Sequence, residues 1–276
     1  MDVYLSFNVK NTTFIPFTEE GWIRRQRNGF RATGGMFRSR YGRTRFYKSA
    51  SVYNPMFESY VLWDACGIGM ALEKEKGKSL IKGAVTMDQD KCSASHILYR
   101  VKYKRFTGMV LSGIQLAPSE IRNDRFTTGS ELSLCCRLIK LHAVIAYDYL
   151  KHFGIPADKT INKTAHLVCG FFEARAHACK FLDINILTYY KSYQRNDDYK
   201  SAYSGYVVES ILNKWLGIGQ GLETETKNNE TIIQPEIFFL LTPIKDHLSL
   251  KLSCNVGKED EVSRPYKWSG SIRVAF

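Results

Sequence analysis

Four residues in one short stretch are of the types that bind zinc. His166, Cys169, His177 and Cys179 follow the spacing H-x-x-C-x7-H-x-C. Imidazole nitrogens and thiolates are the usual zinc ligands, so this set could hold a metal ion. If residues 162–179 form one helix, however, the first two lie on one face and the last two point elsewhere. Cysteines that pack as small apolar side chains are the simpler interpretation, and we expect no metal and no cofactor.

The acidic residues form no pattern that is typical of catalysis. Asp88 and Asp90 lie two residues apart, but in a sequence, MDQDK, that is typical of a solvated turn. The glycines of GIGQG (217–221) follow a predicted helix and not a strand, so the context of a dinucleotide-binding turn is missing. We therefore expect no catalysis by the chain itself. A metal-dependent nuclease whose carboxylates are not grouped in sequence is the alternative.

The most strongly charged segment is residues 21–57, GWIRRQRNGFRATGGMFRSRYGRTRFYKSASVYNPMF. It contains eight arginines, one lysine and no acidic residue, whereas the whole chain has a net charge of +12. Arginine forks bind phosphate oxygens in pairs, aromatic rings stack on bases, and glycine allows close approach of the backbone. The composition favours contact with nucleic acid over the alternative of a solvated basic loop.

This interpretation assigns roles to individual residues. The predicted phosphate-binding residues of the segment are Arg24, Arg25, Arg27, Arg31, Arg38, Arg40, Arg43 and Arg45. The predicted base-stacking residues are Phe37, Tyr41, Phe46 and Tyr47. The predicted extension of the site along a sheet consists of Arg100, Lys102 and Lys104. Because nothing indicates a base-specific code, we expect binding of single-stranded nucleic acid, RNA more than DNA, with weak sequence selectivity.

Composition places the protein in a cellular context. The chain has no uncharged apolar stretch of about 18 residues, and its start, MDVYLSFNVK, does not have the form of a secretory signal. The seven cysteines are irregularly spaced, which indicates reduced thiols. We therefore expect a cytoplasmic or virion-associated protein that is not secreted and contacts no membrane.

Local patterns predict a mixture of strands and helices. Helices are predicted at about 57–76, 131–153, 162–179 and 203–216, and strands at 2–9, 97–106, 108–116, 181–190 and in the last part of the chain. The basic segment between the first strand and the first helix is predicted to be an extended loop or a hairpin. The expected fold class is α+β: a mainly antiparallel sheet with helices on one side, with an RNA-recognition-like or ferredoxin-like core and long insertions.

The alternation in ILYRVKYKRF (97–106) predicts which side chains face the core. Tyr99, Val101 and Tyr103 lie on one face, and the cations Arg100, Lys102 and Lys104 on the other. We expect the first group to be buried and the second to be exposed beside the basic segment. An ordinary half-exposed strand with a basic solvent face is the alternative.

The order of elements resembles that of a known family. A first strand, a long basic insertion and a helix, followed later by CGFFEARAHACKFLDINI (169–186), resemble the repeated RNA-holding subunits of CRISPR effector complexes. The resemblance implies a single nucleic-acid-binding domain over residues 1–276, with its basic insertion at about 21–57, that assembles with other subunits or with itself. A viral capsid or nucleocapsid protein is the alternative, although the predicted helix at 131–153 argues against a jelly-roll shell.

Overall fold

In the computed structural model, every regular element of the described residues is a β-strand. The structure describes residues 2–8, 17–42, 62–89, 91–116, 124–152, 163–195, 199–212, 215–227, 230–244, 248–255 and 267–274. These ranges contain no helix long and apolar enough to span a bilayer.

The strands differ in length, and no other kind of regular element occurs between them in the described ranges. They are β1 (Asp2–Asn8), β2 (Phe17–Arg27), β3 (Phe30–Tyr41), β4 (Trp63–Lys76), β5 (Ser79–Met87), β6 (Ser93–Tyr103), β7 (Phe106–Leu116), β8 (Asp124–Cys135), β9 (Ile139–His152), β10 (Lys163–Cys179), β11 (Leu182–Arg195), β12 (Tyr199–Leu212), β13 (Leu216–Lys227), β14 (Glu230–Ile244), β15 (Leu248–Asn255) and β16 (Lys267–Val274).

The strands are hydrogen-bonded in chain order, from β1 to β16, as a 16-stranded sheet. The chain divides into two compact units. Unit 1 contains β1 to β7, the start of β8, the end of β9 and the start of β10. Unit 2 contains the rest of those three strands and β11 to β16. The prediction of a single domain stays a prediction.

Residues alternate between two environments along each well-described strand, as the period of two in a β-strand requires. In β4, Trp63, Ala65 and Ala71 are buried, while Ile68 and Met70 are exposed. Apart from Trp63, the buried face therefore carries the smaller or more polar residues of this strand, and the exposed face carries its large aliphatic ones.

Tight turns connect β2 to β3, β4 to β5 and β6 to β7. Asn28 and Gly29 form the first of them, with φ angles of 50° and 76°. Positive φ at both central residues defines a type I′ turn, whose twist matches that of the flanking strands, and Asn-Gly is its preferred sequence. The segment at 21–42 is thus a regular hairpin, one of the two forms predicted for it.

One glycine in β4 is required by close packing of backbones. A Cβ atom at Gly69 would overlap the carbonyl oxygen of Val85 in the neighbouring strand. Gly83, on the neighbouring strand β5, has open space where a Cβ atom would lie. Gly69 therefore lets β4 and β5 approach in a way that a side chain would prevent.

The predicted fold class is wrong, because the predicted helices are strands. The segment at 57–76 contains β4, the segment at 131–153 contains β8 and β9, the segment at 162–179 is β10, and the segment at 203–216 lies mainly in β12. The apolar residues of these segments can be placed around a helix. Many of them also occur at every second position, with polar residues between them, which is the spacing of a β-strand. There is accordingly no α+β arrangement and no RNA-recognition-like core in the described ranges.

The strand predictions are confirmed in position: residues 2–9 lie largely in β1, and the last part of the chain contains β14 to β16. Residues 97–106 and 108–116 lie largely in β6 and β7, and residues 181–190 lie largely in β11. The turn between β6 and β7 is at Lys104 and Arg105, a few residues before the predicted position. The sequence therefore located strands correctly where apolar and polar residues alternate without a break.

Candidate functional site: an exposed apolar face and a buried polar face

Large apolar side chains cover the exposed face of unit 1. Ile68 is 69% exposed, Met70 66% and Leu72 63%. These three alternate with Gly67, Gly69 and the buried Ala71 along β4. The exposed apolar residues of the three following strands include Ile81, Val85, Met87, Ile97, Tyr99, Val110, Ile114 and Leu116.

The cross-strand register makes this apolar surface continuous. Met70 lies opposite Val85 on one side and opposite Gly34 on the other. Tyr99 lies opposite Val110 in the next pair of strands. If each of these half-exposed side chains contributes ~90 Å², the patch is on the order of 1,000 Å², beyond what soluble monomers normally expose.

Charged side chains on the apolar face of β3 and β4 occur only toward its two ends. At one end, Arg38 and Arg40 both contact Asp64. The Arg38 guanidinium donates two hydrogen bonds to that carboxylate, of 2.7 and 2.6 Å. At the other end lie Lys74 and Lys76, beside the tight turn to β5. The face is therefore an apolar band with charged margins.

The opposite face of the same strands buries charge. Glu73 is 8% exposed and accepts a hydrogen bond of 2.9 Å from Arg31. Its second carboxylate oxygen lies 3.2 Å from the Lys82 ammonium. Arg31, Glu73 and Lys82 are directly opposite one another in three adjacent strands. A carboxylate in this position is compensated because each of its oxygens faces a cation.

A second buried carboxylate of unit 1, that of Asp148, is also compensated by neighbouring groups. Asp148, 1% exposed, lies 2.8 Å from the Arg125 guanidinium and accepts a hydrogen bond of 2.6 Å from the Thr127 hydroxyl. Glu131 is also buried and accepts a hydrogen bond of 3.1 Å from the backbone N–H of Gly42. Polar groups removed from water in this way keep their bonding partners.

Unit 2 has a buried polar face of its own. His142 and Glu173 are both fully buried, with their nearest side-chain atoms 2.9 Å apart. The Asn185 amide donates a hydrogen bond of 3.2 Å to the buried Glu209. Asp183 accepts a hydrogen bond of 2.6 Å from Arg175 and also contacts His177. These pairs lie on neighbouring strands, and each unites groups of complementary charge or polarity.

Unit 2 also exposes large apolar residues on the other face. Tyr206 lies opposite Thr188 and Leu222 on its two neighbouring strands. Ile218 lies opposite Phe239, and both are exposed. The exposed apolar residues of β11 to β14 include Ile186, Tyr190, Tyr206, Leu212, Ile218, Ile232, Ile233, Ile237, Phe239 and Leu241.

The predicted phosphate-binding residues in the described ranges lie in different environments. In the hairpin β2–β3, Arg24 stacks over the Trp22 ring at 4.2 Å, and its Nε donates to Thr33. Arg31, Arg38 and Arg40 are held in the ion pairs with Glu73 and Asp64. Exposed members of the predicted set in the described ranges are Arg25, Arg27, Arg38, Arg100, Lys102 and Lys104.

The two predicted stacking residues in the described ranges, Phe37 and Tyr41, contact other side chains. Phe37 is 6% exposed and packs with Ala71 and Ala84. Tyr41 makes an edge contact with the ring of His96, with 5.6 Å between centroids. Arg43, Arg45, Phe46 and Tyr47 lie outside the described residues.

The expected burial in β6 is wrong for its tyrosines, whereas Arg100, Lys102 and Lys104 are exposed as predicted. Tyr99 is 45% exposed and Tyr103 49%, although both were predicted to face the core. Leu98, on the same face as Arg100 and Lys102, is 1% exposed. The alternation was located correctly, but the face with more apolar residues is the exposed one.

The four potential zinc ligands are separated by the strand they share. His166 lies on one face of β10, and Cys169, His177 and Cys179 fall on the other by the period of two. Cys169 and His177 are about 27 Å apart along the strand at ~3.4 Å per residue. No group of three potential metal ligands comes together among the residues that the structure describes.

Sequence reasoning missed the buried carboxylates. Glu73, Asp148 and Glu173 were not recognised as partners of cations or imidazole on a neighbouring strand. The available signal was their place within the alternation. In β4 the face that carries Glu73 also carries Ala71, Gly69 and Gly67, whereas the other face carries Ile68 and Met70.

The fold and these two faces define a class: a long antiparallel β-meander with large apolar residues on its exposed face and with charged and polar residues among the apolar ones on its buried face. No protein-family model matches the chain, and no curated protein matches its sequence. Among solved structures, it is similar to the outer-membrane expressed OmpT of Vibrio cholerae, at 7% identity over 86% of this chain and 89% of that one. The TM-score is 0.41, too low for this likeness to carry an argument.

The predicted function is wrong. Single-stranded nucleic-acid binding was predicted from the arginine-rich segment at 21–57 and the basic face of residues 97–106, with a capsid protein and a nuclease as alternatives. The described part of the basic segment is instead a β-hairpin whose arginines at 31, 38 and 40 are in ion pairs.

The predicted partners and location are corrected with it. Membrane contact was excluded because the chain has no continuous apolar stretch. That criterion applies to helices, whereas a strand needs only every second residue to be apolar to present an apolar face. The cytoplasmic or virion-associated location rested partly on the same criterion, and the exposed apolar band removes that part of its basis.

Proposed function

We propose that this protein is embedded in a lipid bilayer, with its strands crossing the hydrocarbon region. The observation that carries the proposal is the inversion of the two faces. Large aliphatic side chains are exposed, Ile68 by 69%, while carboxylates such as Glu73 and Asp148 are buried. In water this distribution is unfavourable on both counts, because exposed apolar area and buried charge each cost free energy.

The length of the apolar band supports this proposal. Asp64 and Lys74 mark its two margins on β4. They are separated by about 34 Å along the strand at ~3.4 Å per residue. A strand tilted by about 40° would span roughly 26 Å with that length, close to the ~25 Å apolar height of membrane-crossing sheets. Unpaired backbone groups are costly in hydrocarbon, so the proposal requires every strand edge in the bilayer to be paired.

The sequential topology supports it further. Adjacent antiparallel strands satisfy each other's backbone groups locally, as in the pairs β3–β4 and β4–β5. In unit 1 the connections alternate between two-residue turns and the longer segments 42–62, 88–92 and 117–123. Short turns at one side and longer connections at the other are typical of membrane-crossing antiparallel sheets.

The proposal is tested by refolding the full chain from urea in the presence of phosphatidylcholine vesicles. We expect the protein to float with the vesicles and to resist extraction by alkaline carbonate. Replacement of Ile68, Met70 and Leu72 by serine is expected to abolish carbonate resistance. The matched control replaces Glu75, Lys76 and Lys78, at the tight-turn end, by serine and should remain inserted. A wild-type chain that stays soluble and monomeric without lipid or detergent would overturn the proposal.

A further inference from the structure

The tight-turn end of unit 1 carries a dense group of exposed cations, which we call the turn-end belt. Its members are Arg25, Arg27, Lys74, Lys76, Lys78, Arg100, Lys102, Lys104 and Arg105. The exposed acidic residue among them is Glu75, since Glu73 is buried between Arg31 and Lys82. The belt therefore has a large positive excess that no neighbouring carboxylate in the described ranges neutralises.

Backbone hydrogen bonds hold the successive turns of the belt together. The N–H of Glu75 donates to the carbonyl of Gly29 at 2.9 Å, which ties the β2–β3 turn to β4. The N–H of Lys102 donates to the carbonyl of Lys78 at 2.8 Å, which ties the β4–β5 turn to β6. The cations thus belong to one connected rim.

Aromatic rings lie among these cations. The Lys74 ammonium is 4.5 Å from the centroid of the Phe30 ring. The Lys78 ammonium is 4.1 Å from that of Tyr103, and the Lys104 ammonium approaches the same ring at 5.6 Å. Aromatic side chains at the margin of an apolar surface are typical of the membrane–water interface.

The charge of the two ends of β3 and β4 differs. At the end opposite the belt, Asp64 is paired with both Arg38 and Arg40. At the belt end, Lys74 and Lys76 have no such carboxylate among the described residues. A polyanionic surface placed against the belt would neutralise charges that the chain itself leaves uncompensated.

We propose that the turn-end belt binds the phosphate groups of anionic phospholipids at one surface of the bilayer. This inference rests on the proposed membrane function and deepens it by naming a lipid class. Lysine and arginine near an anionic membrane surface each contribute about 1 kcal/mol, which is about fivefold in affinity per charge. The aromatic rings place the same residues at the depth of the headgroups.

The test measures energy transfer from the intrinsic tryptophans to dansyl-labelled lipid in vesicles that contain the inserted protein. We expect dansyl-phosphatidylglycerol to be enriched around the protein over dansyl-phosphatidylcholine, and the enrichment to fall as salt is raised. The variant with Lys74, Lys76 and Lys78 replaced by glutamine should lose roughly 100-fold in relative affinity for the anionic lipid, at about fivefold per charge. Lys91→Gln, an exposed lysine at the opposite end, is the control and should lose little.

Each outcome decides between the two proposals. Insertion with equal enrichment of both lipids, or equal losses for the triple variant and Lys91→Gln, would overturn the lipid-binding inference and leave the membrane proposal standing. Failure of the wild-type chain to insert would overturn both. Selective enrichment that persists in the triple variant would show that the anionic lipid binds elsewhere.

Discussion

At the scale of single residues, Glu73 joins three strands through charge. Its two carboxylate oxygens face Arg31 and Lys82, which lie directly opposite it on β3 and β5. Removing the negative charge would leave two cations in a largely dehydrated position. The free energy of unfolding then falls because neither cation can recover its full hydration in the folded state.

We predict that Glu73→Gln lowers the free energy of unfolding by about 2–4 kcal/mol, below the usual cost because the Arg31 side chain remains 30% exposed. The matched control is Glu75→Gln on the same strand, which is exposed and should change stability by less than about 0.5 kcal/mol. Urea titration in lipid vesicles, followed by tryptophan fluorescence, measures both. Equal effects would mean that the ion triad contributes nothing specific.

Met70 tests the other face at the same scale. It is 66% exposed and lies between Gly34 and Val85, away from the charged margins of the band. If it contacts lipid chains, Met70→Lys should cost about 2–4 kcal/mol in vesicles. Met70→Leu, which stays apolar, should cost less than about 1.5 kcal/mol. A lysine tolerated within about 0.5 kcal/mol would indicate that this position faces water.

At the scale of elements, the β4–β5 pair depends on backbone approach at Gly69. We predict that Gly69→Ala destabilises the protein by about 1–3 kcal/mol, because the new methyl group would overlap the Val85 carbonyl oxygen. Gly83→Ala on the partner strand meets open space and should be neutral or slightly stabilising. Urea midpoints of the two variants give the comparison. If both alanines were equally tolerated, the two strands would not approach as closely as the structure has them.

Some strands and turns could be predicted because the sequence patterns that mark them lie within a few neighbouring residues. The alternation in β6 and β7 located both strands, and Asn28-Gly29 between alternating segments is a hairpin signal that sequence reasoning did not use. The helical interpretation of β8 and β9 failed for a different reason. Leu132 and Leu134 alternate with the buried Glu131 and Ser133, and a search for an apolar core assigns such leucines to the wrong face.

At the scale of the whole molecule, the environment decides which face is buried. The same period of two fits a soluble sheet with an apolar core and a membrane sheet with apolar residues against lipid. The sequence alone located the alternation of Tyr99 and Arg100, but it did not show which face of the strand carries the buried apolar residues. The exposure of Ile68 and Ile97 and the burial of Glu73 and Asp148 show which face is buried. The partners of the buried carboxylates come from neighbouring strands, so their pairing depends on a register that no local pattern fixes.

The most direct test of the membrane proposal is nitroxide accessibility in vesicles. Single nitroxide labels are attached at Val85, Ile97 and Ile114 on the exposed face, in a background with the seven native cysteines replaced by alanine. Arg105, in the turn between β6 and β7, is the water-exposed control. We predict that the three labels on the face collide more with oxygen, which dissolves in hydrocarbon, than with a water-soluble nickel complex, and that Arg105 shows the reverse. Nickel collisions at Val85, Ile97 and Ile114 as frequent as those at Arg105 would contradict the proposal that this face lies in the bilayer.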